Sequence, residues 1–229
     1  MQRGAREFTV AIQWKFCTSP ARLPCEMNVT TSTFLERGNP ELQDRVDIVR
    51  FDDKTAFILA DGAGGRSGAA QAAEFFVRFA RDAAANLTVT QDCFRLLCEL
   101  DQRITRADDC GETTGVIVVL SEGEVFGANV GDSAAWLFTP EGNEELSRVR
   151  KPYLGTGVAA PHPFARKSSS GTLVVATDGL WKYTSLELIE QKARAGNPER
   201  LAAELADLVR LRSGIFPDDI AIATGRFEL

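Results

Sequence analysis

An apolar run from Phe57 to Ala60 ends on an acid, Asp61, and four glycines follow within seven residues: Gly62, Gly64, Gly65 and Gly68. Beyond them Ala69, Ala72, Ala73, Phe76, Val77 and Ala80 recur at spacings of three and four, which predicts an amphipathic helix over Ser67–Ala83. A buried strand, an acid at its end and a turn too tight for side chains together deliver a carboxylate to the rim of a sheet. That is a place to hold a ligand or a metal. The junction recurs where Leu173–Ala176 leads to Asp178, and in reverse order where Asp218 and Asp219 precede Ile220–Thr224. Three separated acidic sites in similar settings point to one shared centre.

The 229 residues suffice for one domain, 1–229, with a substantial core, and the composition of 44% hydrophobic and 25% charged residues is that of a globular protein. A net charge of -6 without a Lys/Arg run argues against nucleic acid as a partner. No stretch reaches the roughly 18 apolar residues of a membrane span, and the start has no long apolar segment of the secretory kind. Cys17, Cys25, Cys93, Cys98 and Cys110 are odd in number and lack a CxxC spacing, so reduced thiols in the cytoplasm are expected. The single histidine, His162, stands in a proline-flanked loop and excludes a multi-histidine metal site. Gly62–Gly68 contains no GxGxxG pattern and no Lys-Ser/Thr ending, which leaves dinucleotide and ATPase-type phosphate loops unsupported.

In chain order, alternation predicts strands at Phe8–Phe16 and Asn28–Phe34, then a hairpin around Asp52–Lys54 that carries Asp44 to one end and Asp61 to the other. A second helix is expected from Thr90 to about Asp108, with Asp101 an acid at the edge of its apolar side. Strands at Gly115–Leu120, Glu124–Val130 and Ala134–Thr139 read as an antiparallel meander, joined in part by the turn at Gly131–Ser133. Asn143–Ser170 shows no period and reads as the least rigid part. Thr184 and Glu187 form a capping-box pattern, and a last helix begins at Asn197–Pro198.

Aspartates gathered at one point repel each other unless cations or hydrogen-bond donors offset the charge. Oxygen ligands without histidine or thiolate favour Mg²⁺ or Mn²⁺ over zinc or copper. Two such ions bridged by a carboxylate activate water and neutralise phosphoryl oxygens, so hydrolysis of a phosphate ester needs no protein nucleophile. Glycoside hydrolysis also uses paired carboxylates, but no aromatic-rich sugar platform is present.

Six motifs in order carry a resemblance: Gln43–Arg45, Ala60–Gly65, Gly111–Thr114, Gly131–Ser133, Ala176–Trp181 and Asp218–Ala221. Together they resemble the PP2C-like metal-dependent protein serine/threonine phosphatases, in a small bacterial-type form. The resemblance implies an α+β fold: a four-layer αββα sandwich of two antiparallel β-sheets flanked by helices. It implies two Mn²⁺ or Mg²⁺ ions, with Asp61 bridging them and the Gly62 carbonyl on one. Asp178 and Asp218 match further ligands, Asp44 ligates directly or through water, and Asp132 with Asp178 matches a weaker third site. Asp219 is cast behind the ligands. The implied partners are a phosphorylated protein and a Ser/Thr kinase signalling circuit.

The chain departs from that pattern in three places. Asn39 stands where the family's phosphate-binding arginine is expected, leaving Arg37, Arg45 and Arg66 as candidates. Ala63 replaces a histidine found in many eukaryotic relatives. Only 45 residues lie between Asp132 and Asp178, so the flap insertion is expected to be short or absent. The alternative is a catalytically weak, phosphatase-like regulatory binding module.

Overall fold

A computed structural model describes residues 28–63 and 67–228. The strand expected at Phe8–Phe16, Cys17, Cys25 and Arg66 lie outside the described residues. The first elements are β1 (Asn28–Glu36), β2 (Asp44–Arg50), β3 (Lys54–Ala63), α1 (Ala69–Ala83) and α2 (Thr90–Thr105). There follow β4 (Glu112–Thr113), β5 (Gly115–Ser121), β6 (Glu124–Val130), β7 (Ala134–Thr139), β8 (Gly142–Glu145), β9 (His162–Lys167) and β10 (Ser170–Ala176). The chain closes with α3 (Asp178–Trp181), α4 (Leu186–Ala195), α5 (Leu201–Ala206) and β11 (Ile220–Glu228).

The long strands form two antiparallel sheets, β1-β11-β10-β7-β8 and β2-β3-β5-β6-β9, with β4 beside β3. Strand parity shows how they stack. Ala56, Ile58 and Ala60 of β3 face the buried side of α1 and α2, whereas Phe57 and Leu59 enter a separate core with Leu173, Val175, Ala221 and Ala223. The opposite face of the other sheet, through Val174, Ala176, Ile220 and Ile222, packs on α4 and α5. Three apolar layers therefore separate four structural layers, the αββα sandwich. Strands covered on both faces have no polar side, which is why Phe57–Ala60 reads as an unbroken apolar run.

Six features differ from the sequence expectations. β5 and β6 pair, but β7 pairs with β10 and β8, so the meander is broken at Gly131–Ser133, where the chain crosses between sheets. Gly131 adopts φ 95°, a left-handed conformation that suits glycine, and an added Cβ would lie 2.6 Å from the Thr114 side chain. The hairpin register sets Asp44 directly opposite Asp61, at one shared end rather than at opposite ends. Asn143–Ser170 is ordered by β9 and by buried Asp101, whose carboxylate accepts the backbone N–H groups of Gly155, Gly157 and Ala159 at 2.8–3.0 Å. Asp101 is 2% exposed and so is a loop anchor, not an edge residue. Ser185, not Thr184, caps α4, and the turn after Asn197 delays α5 to Leu201.

Candidate metal centre

Parity carries Asp61 onto the face of Phe57 and Leu59, between the sheets, at the point where the core opens to solvent. Its backbone is held from below: the Asp61 carbonyl accepts the Thr114 N–H at 2.8 Å and the Thr113 hydroxyl at 2.9 Å. The Asp61 N–H donates to Thr114 Oγ1 at 2.9 Å, and that hydroxyl also meets Ser133 at 2.7 Å. Gly62 follows because α1 begins against it; a Cβ there would lie 2.7 Å from the Ala69 backbone. The strand end cannot shift without disturbing the helix.

Asp44 sits beneath Asp61 and is only 1% exposed. Thr177, at the end of β10, donates its hydroxyl to Asp44 Oδ2 at 2.7 Å, and Thr177 Oγ1 in turn accepts the Ala221 N–H at 2.9 Å. One hydroxyl thus ties the acid of one sheet to two strands of the other. Asp178 opens α3 immediately beyond, while Asp132 stands in the crossover secured by paired Gly131 and Arg150 backbone bonds.

Asp219 has a different task. It is 5% exposed, and its carboxylate accepts the N–H groups of Gly38 and Asn39, both at 2.9 Å, and of Gln43 at 2.7 Å. It anchors the 38–43 loop ahead of Asp44. Asp218, one residue earlier, lines the opening and accepts Asn39 Nδ2 at 2.7 Å.

These elements enclose a polar cleft of about 200 Å³ lined by Asp61, Asp132, Asp178 and Asp218 among others. One oxygen from each of Asp61, Asp132 and Asp178 lies within 4.8 Å of the others. The electrostatic cost is visible in their acidities. Burial, then the Asp44 and Asp178 charges, raise Asp61 to about 10. Burial raises Asp44 to about 7 against the opposing effect of the Thr177 hydrogen bond. Burial also raises Asp178, opposed by Lys182, whose ammonium reaches back to its carboxylate. Hard oxygen donors crowded until they resist ionisation suit a divalent cation, and neither histidine nor cysteine is among the cleft-lining residues.

The cleft gathers Asp61, Gly62, Asp132, Asp178, Asp218 and Asp219, whereas Asp44 is buried opposite Asp61 and does not line it. The arginine candidates fare differently. Arg45 turns away into an ion pair with Glu74 at 2.6 Å and also donates to the Leu42 and Asp44 carbonyls, so its guanidinium is committed outside the cleft. Arg37 is exposed and does not line the cleft. Asn39, standing where an arginine was expected, does line it, and Ala63 lies there too. Sequence reading missed Thr114, Thr177, Tyr153 and Lys182. Of these, Thr114 and Thr177 fell within motifs that could have flagged them, while Tyr153 and Lys182 fell in none.

An acid-lined cleft able to hold a metal ion, at one rim of an αββα sandwich, fits the metal-dependent phosphatase class. The chain belongs to the protein phosphatase 2C family, whose model matches residues 34–210. No curated protein sequence matches it significantly. Among solved structures, a bacterial serine phosphatase superposes with TM-score 0.75 at 18% identity, covering 88% of this chain and 98% of that one. The serine/threonine phosphatase Stp1 from Staphylococcus aureus gives TM-score 0.74 at 17% identity, covering 92% and 100%. RsbX in complex with magnesium gives 0.68 at 16% identity, covering 87% and 96%. At these identities the structural likeness speaks for the fold.

Proposed function

We propose that this protein is a Mn²⁺- or Mg²⁺-dependent phosphatase that hydrolyses phosphoserine and phosphothreonine in protein substrates. The observation that carries the reading is the convergence of Asp61, Asp132 and Asp178 oxygens within 4.8 Å in the cleft of a protein phosphatase 2C family member. Asp61, the Gly62 carbonyl, Asp178 and Asp218 would hold two such ions. Asp44 supports Asp61 from beneath, and Asp132 faces Asp178 across the opening. Bound divalent ions supply charge to neutralise phosphoryl oxygens and to acidify an attacking water.

The chain's own residues set the rest. Thr113 and Thr114 fix the Asp61 backbone, Thr177 orients Asp44, and Asp219 holds the Asn39 backbone, whose side chain donates to Asp218 at the rim. Among the described residues no arginine lines the cleft; its lining includes the side-chain donors Asn39, Gln43, Tyr153 and Lys182, of which Asn39 and Lys182 are hydrogen-bonded to Asp218 and Asp178. Donors of that kind orient a phosphate without the forked grip of a guanidinium.

The proposed setting is a bacterial cytoplasmic signalling circuit with a Ser/Thr kinase. Cys93, Cys98 and Cys110 are free thiols, and burial pushes Cys93 up to about 12, which fits inert cysteines in a reducing compartment. Among the described residues no helix is long and apolar enough to cross a membrane.

The test is phosphate release from a phosphothreonine peptide with Mn²⁺, with chelator, and with Asp61→Asn. Turnover that vanishes in both controls is expected. Turnover indifferent to either would sink the mechanism, and Mn²⁺ binding without turnover on any phosphoprotein would favour the regulatory binding module.

A further inference from the structure

Lys182 is placed where its charge matters to the metal centre. α3 is a single turn, so its C-cap residue lies one turn beyond Asp178 and on the same side. The Lys182 ammonium is hydrogen-bonded to Asp178 Oδ2, and Asp132 and Asp218 are both close enough to strengthen its hold on its proton. It lines the same cleft as the three acids. The side chain is half exposed, and its ammonium, 5.9 Å from the centre of the Trp181 ring, is drawn to the carboxylates.

The charge balance gives that position a meaning. Asp219 is answered by three backbone N–H groups, which leaves Asp44, Asp61, Asp132, Asp178 and Asp218 to be neutralised by cations. When all five are ionised, two divalent ions leave one negative charge, beside Asp132 and Asp178. A single ammonium cancels it. A third divalent ion bridging Asp132 and Asp178 would have to displace Lys182 from Asp178 and would overcharge the cleft.

Resting on the two-ion reading above, we propose that Lys182 is a built-in substitute for a third cation: the protein takes two divalent ions, and the Asp132–Asp178 position is held by its own ammonium. Lys182 is thus a positioning residue that sets metal stoichiometry.

Calorimetric titration of the full chain with Mn²⁺ alone reads the number of ions bound. The expected result is two in the unaltered protein, two in Lys182→Arg, which keeps the charge, and three in Lys182→Ala. Three ions in the unaltered chain, or only two in Lys182→Ala at saturating Mn²⁺, would overturn the inference while leaving the proposed phosphatase centre intact. Absence of Mn²⁺ binding in every variant would overturn both. Because the Lys182 side chain is 45% exposed, its truncation leaves the core untouched.

Discussion

Asp44 and Asp61 are cross-strand partners at the open end of the first hairpin, and both side chains lie on the face that points between the sheets. Burial raises the proton affinity of both acids, and the Asp44 charge raises that of Asp61 further, whereas the hydrogen bond with Asp61 eases the rise at Asp44. The pair is therefore a stored electrostatic cost that a cation relieves.

The sign of its pH dependence follows. An acid whose folded pKa lies above its unfolded value favours folding fully only below the unfolded value of 3.8, and that contribution is lost as pH rises through the folded value. The metal-free protein should lose thermal stability from about pH 4 through about 7, where Asp44 titrates, and on toward about 10 for Asp61. Asp61→Asn should raise metal-free stability at pH 8, and Mn²⁺ should flatten the profile of the unaltered chain. Melting curves at several pH values, with and without Mn²⁺, check this; a flat metal-free profile contradicts it.

Thr177→Val removes a hydroxyl that donates to Asp44 and accepts from Ala221, leaving both buried groups short of a partner. A loss of about 1–3 kcal/mol is expected by urea denaturation. Thr177→Ser, which keeps the hydroxyl, should recover most of it, and an undiminished stability in Thr177→Val would remove the hydroxyl from this role.

Asp219→Asn keeps the shape of the loop anchor but replaces one of the two oxygens that together accept three backbone N–H groups. Stability should fall by about 1–3 kcal/mol. Hydrogen exchange should quicken at Gly38, Asn39 and Gln43, and unchanged protection there would remove Asp219 from this role.

Gly179→Ala places a Cβ 1.9 Å from the Asp219 carbonyl oxygen, and backbone cannot yield as a side-chain tip would. The α3 turn and the start of β11 must separate, moving Asp178 away from Asp218. A cost of about 1–3 kcal/mol or more is expected, together with weaker Mn²⁺ binding. Calorimetry and denaturation of the same sample read both, and unaltered Mn²⁺ affinity would show that the two acids need not keep this spacing.

Much of the centre was legible in the chain because each acid marks the end or start of an apolar strand. Apolar runs at Phe57–Ala60 and Leu173–Ala176 report burial on both faces, and burial locates strand ends, hence Asp61 and Asp178 at a rim. The αββα architecture entered through ordered motifs rather than through periodicity, which cannot say which sheet a strand joins. That is why β7 was misplaced: a crossover at Gly131–Ser133 and a hairpin turn look alike when only local residues are read.

What the linear order determined by itself was the set of acids and the elements that carry them. Their division of labour was decided in three dimensions. Asp218 and Asp219 are neighbours in sequence, yet only Asp219 receives the backbone amides of a loop some 180 positions away, while Asp218 takes the Asn39 side chain. Arg45, beside a proposed ligand, is drawn off by Glu74, whereas Lys182, absent from any motif, is pulled into the cleft by Asp178. Spacing encodes burial and turn geometry over a few residues, but charge acts through space, so only folding settles which ions meet.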